Sequence, residues 1–222
     1  IFATADNRRA FASCIDRAAV VDAVSETTGA IVEPHALRIA TAGSPAAGVL
    51  EDLAGRLGAR DVQSSKDVLD GTTVRVGYLE GQTRHEAIAE SLAGSCAEAG
   101  VTVETVPLDA AAMQTPGVLG TEVDALLDTR TPYNRNPEVT ASPVSRVGTI
   151  SQAESRLADD ASTIPLVVEP RLVVTASSVS GVSDSGLEPG LSWNMDRWAS
   201  TDHPRSAEPD ETDAPDNTEE NQ

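Results

Sequence analysis

The three histidines of this chain could do acid–base or metal chemistry, but their spacing argues against both. His35 lies in a predicted loop, His85 in the first turn of a predicted helix, and His203 close to the carboxyl terminus. They do not have the spacing of metal ligands, and neither HExxH nor GxSxG occurs in the sequence. The sequence therefore predicts no metal centre and no serine-hydrolase centre.

One glycine-containing segment has the position of a phosphate-binding loop. Gly77–Thr83 follows a predicted strand and opens a predicted helix, but it lacks the lysine that would reach the phosphates. We interpret this helix start as capped by Thr83 rather than as an anion site. Carboxylates are plentiful, yet no pair stands out as general acid and base. The chain is predicted not to be an enzyme and to need no cofactor.

Two cysteines, Cys14 and Cys96, are the remaining candidates for chemistry. Neither belongs to a Cys-x-x-Cys pair, which disfavours a zinc site or a thioredoxin-like motif. Each lies on the apolar face of a predicted helix. From the residues alone, both are interpreted as buried and inert thiols.

The first element that positions these residues is a predicted amphipathic helix over Arg8–Val24. Apolar residues recur there at steps of three and four, which places them on one helix face: Phe11, Cys14, Ile15, Ala18 and Val21. Asp6 or Asn7 is the expected N-cap. A second helix is predicted over Val49–Leu57, ended by Gly58.

A strand–helix–strand unit follows. Thr73–Leu79 alternates like a strand, and Thr83–Glu86 has the pattern of a capping box that opens a helix ending at Gly100. Val101–Val106 is the second strand, so the unit predicts a right-handed crossover with parallel strands. Val123–Leu127 is a predicted third strand.

The last third of the chain has weaker patterns. Ser151–Glu154 is interpreted as a capping box that opens a helix, and Ile164–Val168 and Leu172–Ala176 as two strands. From His203 to Gln222 the chain has seven acidic residues, three prolines and no large apolar residue. Such a segment cannot bury enough surface to offset its ordering entropy, so we expect a disordered acidic tail.

The charge of the chain excludes one class of partner. The formal net charge is −19, and Lys66 is the only lysine, whereas a phosphate-binding surface needs clustered lysine and arginine. We therefore expect no nucleic-acid partner. There is no apolar run of about 18 residues that could span a bilayer, and no signal peptide precedes the first helix. We expect a soluble chain that is a mature or truncated piece of a longer product.

Four segments, in the same order, resemble one protein family. Arg8–Arg17 reads Arg-x-Ala-Phe-x-x-x-Ile-Asp-Arg, which resembles a helix of extracytoplasmic solute-binding proteins of the oligopeptide/dipeptide-binding ABC transporter class, solute-binding protein family 5. Ser91–Asp109, Val123–Glu138 and Ile164–Val182 are similar to later segments of that family. The resemblance covers the carboxy-terminal part of such a protein, whose complete chains are more than twice as long.

The resemblance implies both a fold and a function. The fold is an α/β periplasmic-binding-protein-like lobe, with a mixed sheet and a parallel βαβ core. It implies a mobile lobe over 1–162, a return segment toward the other lobe over 163–202, and the tail over 203–222. The implied function is that of the substrate-binding part of an ABC importer. It would hold a peptide-like or other small solute between this lobe and a missing amino-terminal lobe, for delivery to a permease.

The family's ligand-side stretch implies a binding set of Asp128, Arg130, Tyr133 and Asn134. Peptide binders of the family carry a WxxDxxDP-like stretch there, whose carboxylate pairs with the peptide ammonium. In this chain the tryptophan is missing and the second acid is Asn136. Asp128 could still pair with an ammonium group, whereas Arg130 could bind a carboxylate or phosphate through its fork of donors. The ligand is therefore either peptide-like or anionic.

The pattern around Cys96, Ser-Cys-x-x-Ala-Gly, is similar to actinobacterial lipoprotein members of this family. That resemblance implies an extracytoplasmic place in the cell envelope, with lipid anchoring through an absent upstream segment. Because exported proteins meet an oxidising environment, it also implies a Cys14–Cys96 disulfide. The alternative function is that of an envelope lipoprotein that regulates lipomannan and lipoarabinomannan assembly through a membrane glycosyltransferase.

Overall fold

A computed structural model describes residues 1–40, 42, 45–129, 143–168, 174–182 and 195–200. The chain forms two compact units, one of residues 1–172 with 186–188 and one of 173–185 with 189–222. In the described part of the second unit, β4 (Val179–Ser180) pairs antiparallel with β5 (Ala199–Ser200). Every helix in the described ranges is too short or too polar to span a bilayer.

The first unit is an α/β structure. Its helices are α1 (Ala5–Cys14), α2 (Arg17–Thr28), α3 (Pro45–Val49), α4 (Glu51–Gly58), α5 (Val62–Leu69), α6 (Thr83–Ala97), α7 (Ala110–Gln114), α8 (Val118–Thr121) and α9 (Pro143–Asp160). Its strands are β1 (Thr73–Leu79), β2 (Thr102–Leu108) and β3 (Ala125–Leu126).

The predicted helix over Arg8–Val24 is wrong as a single helix, because the chain breaks at Ile15 and Asp16. Ile15 has extended backbone angles, φ −71° and ψ 122°. The Asp16 carboxylate then accepts hydrogen bonds from the amides of Ala18 and Ala19 at 3.0 and 3.2 Å. Asp16 therefore starts a new helix, as N-cap residues do.

The start of α1 also differs from the prediction. Thr4 is its N-cap, with the hydroxyl accepting from the amide of Asn7 at 3.3 Å. Asp6 and Asn7, the expected N-caps, lie inside the helix. The predicted helix over Val49–Leu57 is likewise divided, since α3 ends at Val49 and α4 begins at Glu51.

The strands form a parallel sheet in the order β2-β1-β3. The register runs from Thr73 opposite Thr102 to Leu79 opposite Leu108, and Val76 lies opposite Ala125. The predicted strand–helix–strand unit with parallel strands is thus confirmed. The third strand is confirmed too, although it is shorter than Val123–Leu127.

Helices cover the two faces of the sheet unequally. Val74, Val76 and Tyr78 pack in the main core with residues of α1, α2 and α6. The opposite face packs against α7 and α8 through a smaller core: Leu108, Val118 and Val123, with Val106, Ala112, Met113 and Leu126. Therefore α6 lies on one face of the sheet, and α7 and α8 lie on the other.

Close packing on the face of the sheet that contacts α7 and α8 requires a glycine at Gly77. A Cβ atom at Gly77 would come within 2.8 Å of a Leu108 methyl, 2.9 Å of a Leu126 methyl and 3.0 Å of a Val123 methyl. Distances that short do not occur between real side chains, so no larger residue fits without movement. Close packing between three strands explains this glycine, without a phosphate loop.

Both predicted capping boxes are wrong. The helix α6 has Gln82 at its N-cap and no capping hydrogen bond from a side chain, so Thr83 is already helical. Ser151 lies well inside α9, which begins at Pro143. The Glu154 carboxylate does not reach back to a helix amide, because it is bound to a distant segment described below.

The predicted strand over Ile164–Val168 is present only as an isolated antiparallel bridge between Pro34 and Val167. Leu172 and Val173 lie outside the described residues, and Val174–Ala176 is not a strand. The tail from His203 to Gln222 also lies outside them. The boundaries predicted at residues 162 and 202 stay predictions.

Candidate functional site

Within the described residues, the two connections between strands lie on opposite faces of the sheet. The connection after β1 is α6, on one face, while the connection after β2 runs through α7 and α8 on the other face. Because β2 and β3 flank β1, the carboxyl ends of β1 and β3 lie side by side, and we call the edge outside them the crevice, as the candidate site. In open α/β sheets, ligands bind at such a switch point.

Residues after β1 and β3 border this crevice. Glu80, Gly81 and Gln82 join β1 to α6, and Gly81 has a positive φ of 79°. On the other side, the amide of Leu127 donates to the carbonyl of Gly77 at 2.8 Å. This bond extends the pairing of β3 with β1 by one residue. Asp128 and Thr129 follow, and both are exposed.

A hydrogen bond of 3.0 Å between His85 Nε2 and Thr129 Oγ1 bridges the crevice. His85 lies in the first turn of α6, as predicted, and is only 9% exposed. This bond places the Thr129 hydroxyl on the side of the sheet that α6 covers, where Leu127 is buried in the main core.

Acidic side chains predominate at this end of the sheet. Glu80, Asp109 and Asp128 each follow one of the three strands, and Glu86 lies in the first turn of α6. The pKa of the Tyr78 hydroxyl is raised, first by desolvation and then by the charges of Glu86, Glu90 and Glu80. The same field favours cations, and it opposes an anion in the crevice.

The predicted ligand-binding set is placed only in part. The structure puts Asp128 at the switch point, next to Thr129. Arg130, Tyr133 and Asn134 lie outside the described residues, as do Arg135 and Asn136. In the described part of the chain, no three His, Cys, Asp or Glu side chains are grouped to hold a metal ion.

The predicted disulfide is confirmed. Cys14 and Cys96 are bonded, with their Cα atoms 4.8 Å apart, and both side chains are fully buried. The bond joins the carboxyl end of α1 to the carboxyl end of α6. It therefore fixes the helix whose other end borders the crevice.

Sequence reasoning missed a second polar centre, around Glu154. This residue is 0% exposed. Its carboxylate accepts hydrogen bonds from the amides of Arg38, Ile39 and Ala40, at 2.7, 2.7 and 2.9 Å. One residue of α9 thus binds three consecutive amides of the loop that precedes α3. We call this group the Glu154 anchor.

Two arginines extend the anchor to the segment after α9. The Arg38 guanidinium donates to the carbonyl of Thr163 at 2.9 Å, and burial lowers its pKa. Arg17 donates to the carbonyls of Gly58 and Pro165 at 3.0 and 3.2 Å. Burial, followed by the charge of Arg38, lowers the pKa of Arg17 to about 10. Both guanidinium groups remain charged at neutral pH and bind backbone.

His35 lies beside this group, in a loop as predicted. Its amide donates to the carbonyl of Leu166 at 2.9 Å, and burial lowers the pKa of its ring. One signal could have found Glu154: it follows the buried Ile150 by four residues, so an acid occupies the apolar stripe of α9. The arrangement holds backbone segments together and is not an open ligand site.

Comparison with known proteins finds relatives that are much longer than this chain. No family model matches the chain. It is 29% identical over 229 residues to an uncharacterized lipoprotein of Mycobacterium tuberculosis, covering 86% of this chain and 40% of the relative. A lipoprotein of Mycobacterium leprae is 28% identical over 239 residues, covering 90% and 42%. The chain thus spans about 40% of the length of these curated relatives.

Solved structures with a similar fold are binding proteins. Clavulanic acid biosynthesis oligopeptide binding protein 2 has a TM-score of 0.58 at 19% identity, with 81% of this chain and 41% of that chain covered. NikA from Brucella suis, in complex with Fe(III)-EDTA, has a TM-score of 0.56 at 11% identity, with 88% and 48% covered. A mannohexaose-bound periplasmic oligopeptide-binding protein from Thermotoga maritima has 0.54 at 16%, with 73% and 41% covered. The predicted fold class is confirmed.

Proposed function

We propose that this chain is part of an extracytoplasmic solute-binding protein, the substrate-binding component of an ABC importer. The observation that carries the proposal is the switch-point crevice between β1 and β3, in a fold shared with solved binding proteins. In this function the protein captures a solute non-covalently and does not alter it. The other half of the cleft comes from a second lobe of the same protein, and closure occurs by hinge motion.

The charges at the crevice favour a solute that carries a cationic group, such as a peptide-like ammonium compound. The acidic residues at this edge are Glu80, Glu86, Asp109 and Asp128. The basic residue in the first turn of α6 is Arg84. In this proposal Asp128 pairs with the ammonium group, and Arg130, Tyr133 and Asn134 complete the ligand set. The binding proteins of similar fold carry ligands as different as mannohexaose and Fe(III)-EDTA. The fold alone therefore does not select the ligand.

The proposed location is the cell envelope, with a lipid anchor supplied by an upstream segment. Two findings support it: the mycobacterial relatives are lipoproteins, and the chain carries a buried disulfide of the kind that persists in oxidising compartments. The proposed partner is an ABC permease.

A second candidate function is a regulatory role in the cell envelope, for which the relatives support the location alone. They are mycobacterial lipoproteins whose names give no transport role. In this candidate the protein keeps the binding-protein fold but contacts a membrane glycosyltransferase and regulates lipomannan and lipoarabinomannan assembly. It predicts binding of an anionic glycolipid rather than a cationic solute.

The test uses the full-length protein with both lobes, screened by thermal shift and then by calorimetry. The screen contains oligopeptides, nickel chelates and phosphatidylinositol mannosides. We expect a cationic or peptide-like solute to bind, and Asp128→Asn to weaken it by about 10- to 100-fold, since a charge-assisted hydrogen bond contributes roughly 1.5–3 kcal/mol.

Asp52→Asn is the matched control, because Asp52 is an exposed acid on α4, away from the sheet. It should leave affinity unchanged. Binding of the mannosides alone, with no effect of Asp128→Asn, would favour the second candidate. Turnover of any bound solute would reject both.

A further inference from the structure

We propose that His85 is a positioning residue for the crevice: its bond to Thr129 fixes the segment that carries Asp128. This inference rests on the proposed function, because it concerns the same site. The residue does not contact the solute in this account. It acts through Thr129.

The first step is the geometry on both sides of Asp128. Before it, the Leu127 amide is bound to the Gly77 carbonyl at 2.8 Å. After it, the Thr129 hydroxyl is bound to His85 Nε2 at 3.0 Å. Asp128 therefore lies between two residues that are each attached to the body of the lobe. Its carboxylate is presented from a backbone held on both sides.

The second step is the rigidity of the element that carries His85. Its helix, α6, buries Ile88, Ala89 and Leu92 in the main core. At its far end Cys96 is bonded to Cys14 of α1. His85 as a whole is only 9% exposed, so packing restricts its ring. A side chain on a packed and cross-linked helix is a fixed point, while the segment after β3 is not part of a long strand.

The third step is the position of the bond across the switch point. His85 belongs to the connection that follows β1, and Thr129 to the chain that follows β3. The bond therefore joins the two borders of the crevice and sets the distance between them at His85 and Thr129. Holding a binding group in place before the solute arrives reduces the ordering cost of binding.

The alternative is that His85 only fills space in the core and does not position Asp128. A double-mutant cycle distinguishes these two roles. The variants are His85→Ala, Thr129→Val and their combination. Thr129 is exposed, so Thr129→Val is expected to fold even if His85→Ala does not. The readout without ligand is hydrogen exchange of the Leu127 amide. This amide is bound to the Gly77 carbonyl, two residues before the Thr129 hydroxyl that His85 binds.

We expect each single variant to speed Leu127 exchange about fivefold, the effect of losing one ordinary hydrogen bond. The combined variant should be no faster than either single variant. His85→Gln, whose amide nitrogen can take the place of Nε2, should restore most of the protection. Ser91→Ala is the matched control, because Ser91 lies on the same helix and has a buried hydroxyl remote from Thr129.

The second readout is affinity in the full-length protein, with the solute found in the screen. His85→Ala and Thr129→Val should weaken binding by a similar factor of about five, and not additively. Unchanged Leu127 exchange in both single variants would overturn the inference, whatever the protein binds. Faster exchange with wild-type affinity would overturn it as well. If no solute bound the wild-type protein while the exchange cycle remained coupled, the proposed function would fail instead.

Discussion

Glu154 links parts of the chain that lie far apart in sequence. Its three amide partners, Arg38, Ile39 and Ala40, are 114 to 116 residues away. A buried carboxylate costs several kcal/mol unless hydrogen bonds replace its hydration. The three amides supply that replacement, and the carboxylate in turn satisfies amides that no strand pairs. Neither partner is stable in the interior without the other.

Replacing the Glu154 carboxylate by an amide should therefore be costly. In Glu154→Gln the side chain keeps nearly the same shape but turns at least one donor toward other donors. We expect a loss of roughly 1–3 kcal/mol in the free energy of unfolding, measured by urea denaturation. Asp159→Asn, which removes a charge from an exposed position of the same helix, should change it by less than about 0.5 kcal/mol. Equal effects of the two variants would contradict this account.

The failure to predict Glu154 from sequence has a physical cause. The pattern Ser-x-x-Glu at Ser151–Glu154 is the signature of a helix start, but α9 begins eight residues earlier, at Pro143. A local pattern gives no information about a partner more than a hundred residues away. The buried Arg17 was missed for the same reason, since its acceptors at Gly58 and Pro165 are distant in sequence.

At the scale of elements, apolar periodicity predicted burial only up to the break in the first predicted helix. Phe11, Cys14 and Ile15 are buried as predicted. Ala18 is exposed and Val21 half-buried, because α2 turns Val20 and Val24 to the core instead. The break at Asp16 was not predicted, because an aspartate inside a helix pattern is compatible both with a solvated face and with an N-cap. The strand–helix–strand unit was predicted correctly, since each of its elements has a strong local period and a glycine follows the helix.

One ion pair fixes the start of the short strand β3. The Asp124 carboxylate accepts from the amide of Arg75 at 2.9 Å and from its guanidinium at 3.0 and 3.1 Å. The amide of Asp124 donates back to the carbonyl of Arg75 at 2.8 Å. The hydrogen bonds from the Arg75 side chain are the main reason that the pKa of Asp124 is lowered. These bonds pin β3 to β1 and so place Leu127 and Asp128 at the carboxyl edge.

A pH dependence follows from that shift. Because the folded-state pKa of Asp124 lies below its usual 3.8, the carboxylate stabilises the fold above about pH 4. The contribution is lost as the pH falls from 3.8 through the lower folded-state value. Asp124→Asn should therefore be less stable than wild type at neutral pH, and the difference should shrink below pH 4, in urea unfolding at a series of pH values. The exposed Glu122 provides the control Glu122→Gln, which should not reproduce this convergence.

At the scale of the whole molecule, the sheet could be predicted from the amino-acid sequence, but little of the site could. Parallel order follows from alternating strands joined by a helix, and the resemblance added the fold class. The crevice depends on which face each connection takes, and packing of residues such as Leu108 and Leu127 decides that. Of the predicted ligand set, only Asp128 has a described position, and it lies at the crevice.

The disulfide stabilises the first unit. It closes a loop with a sequence separation of 82 residues, which in the chain-entropy model contributes about 4–5 kcal/mol. We expect thiol titration of the unfolded, unreduced protein to find no reactive cysteine, and two after reduction. The Cys14→Ala/Cys96→Ala variant should lose about 4 kcal/mol, and adding reductant should not destabilise it further. Two reactive thiols before reduction would contradict the pairing.

The Glu154 anchor also determines how the protein can be divided for expression. A version cut after Thr129 would keep the whole parallel sheet and the disulfide. It would still strip three amides, of Arg38, Ile39 and Ala40, of their acceptor, and leave the Arg17 and Arg38 side chains without the carbonyls of residues 163 and 165. A fragment that keeps these bonds must therefore extend at least through Pro165, well past β3.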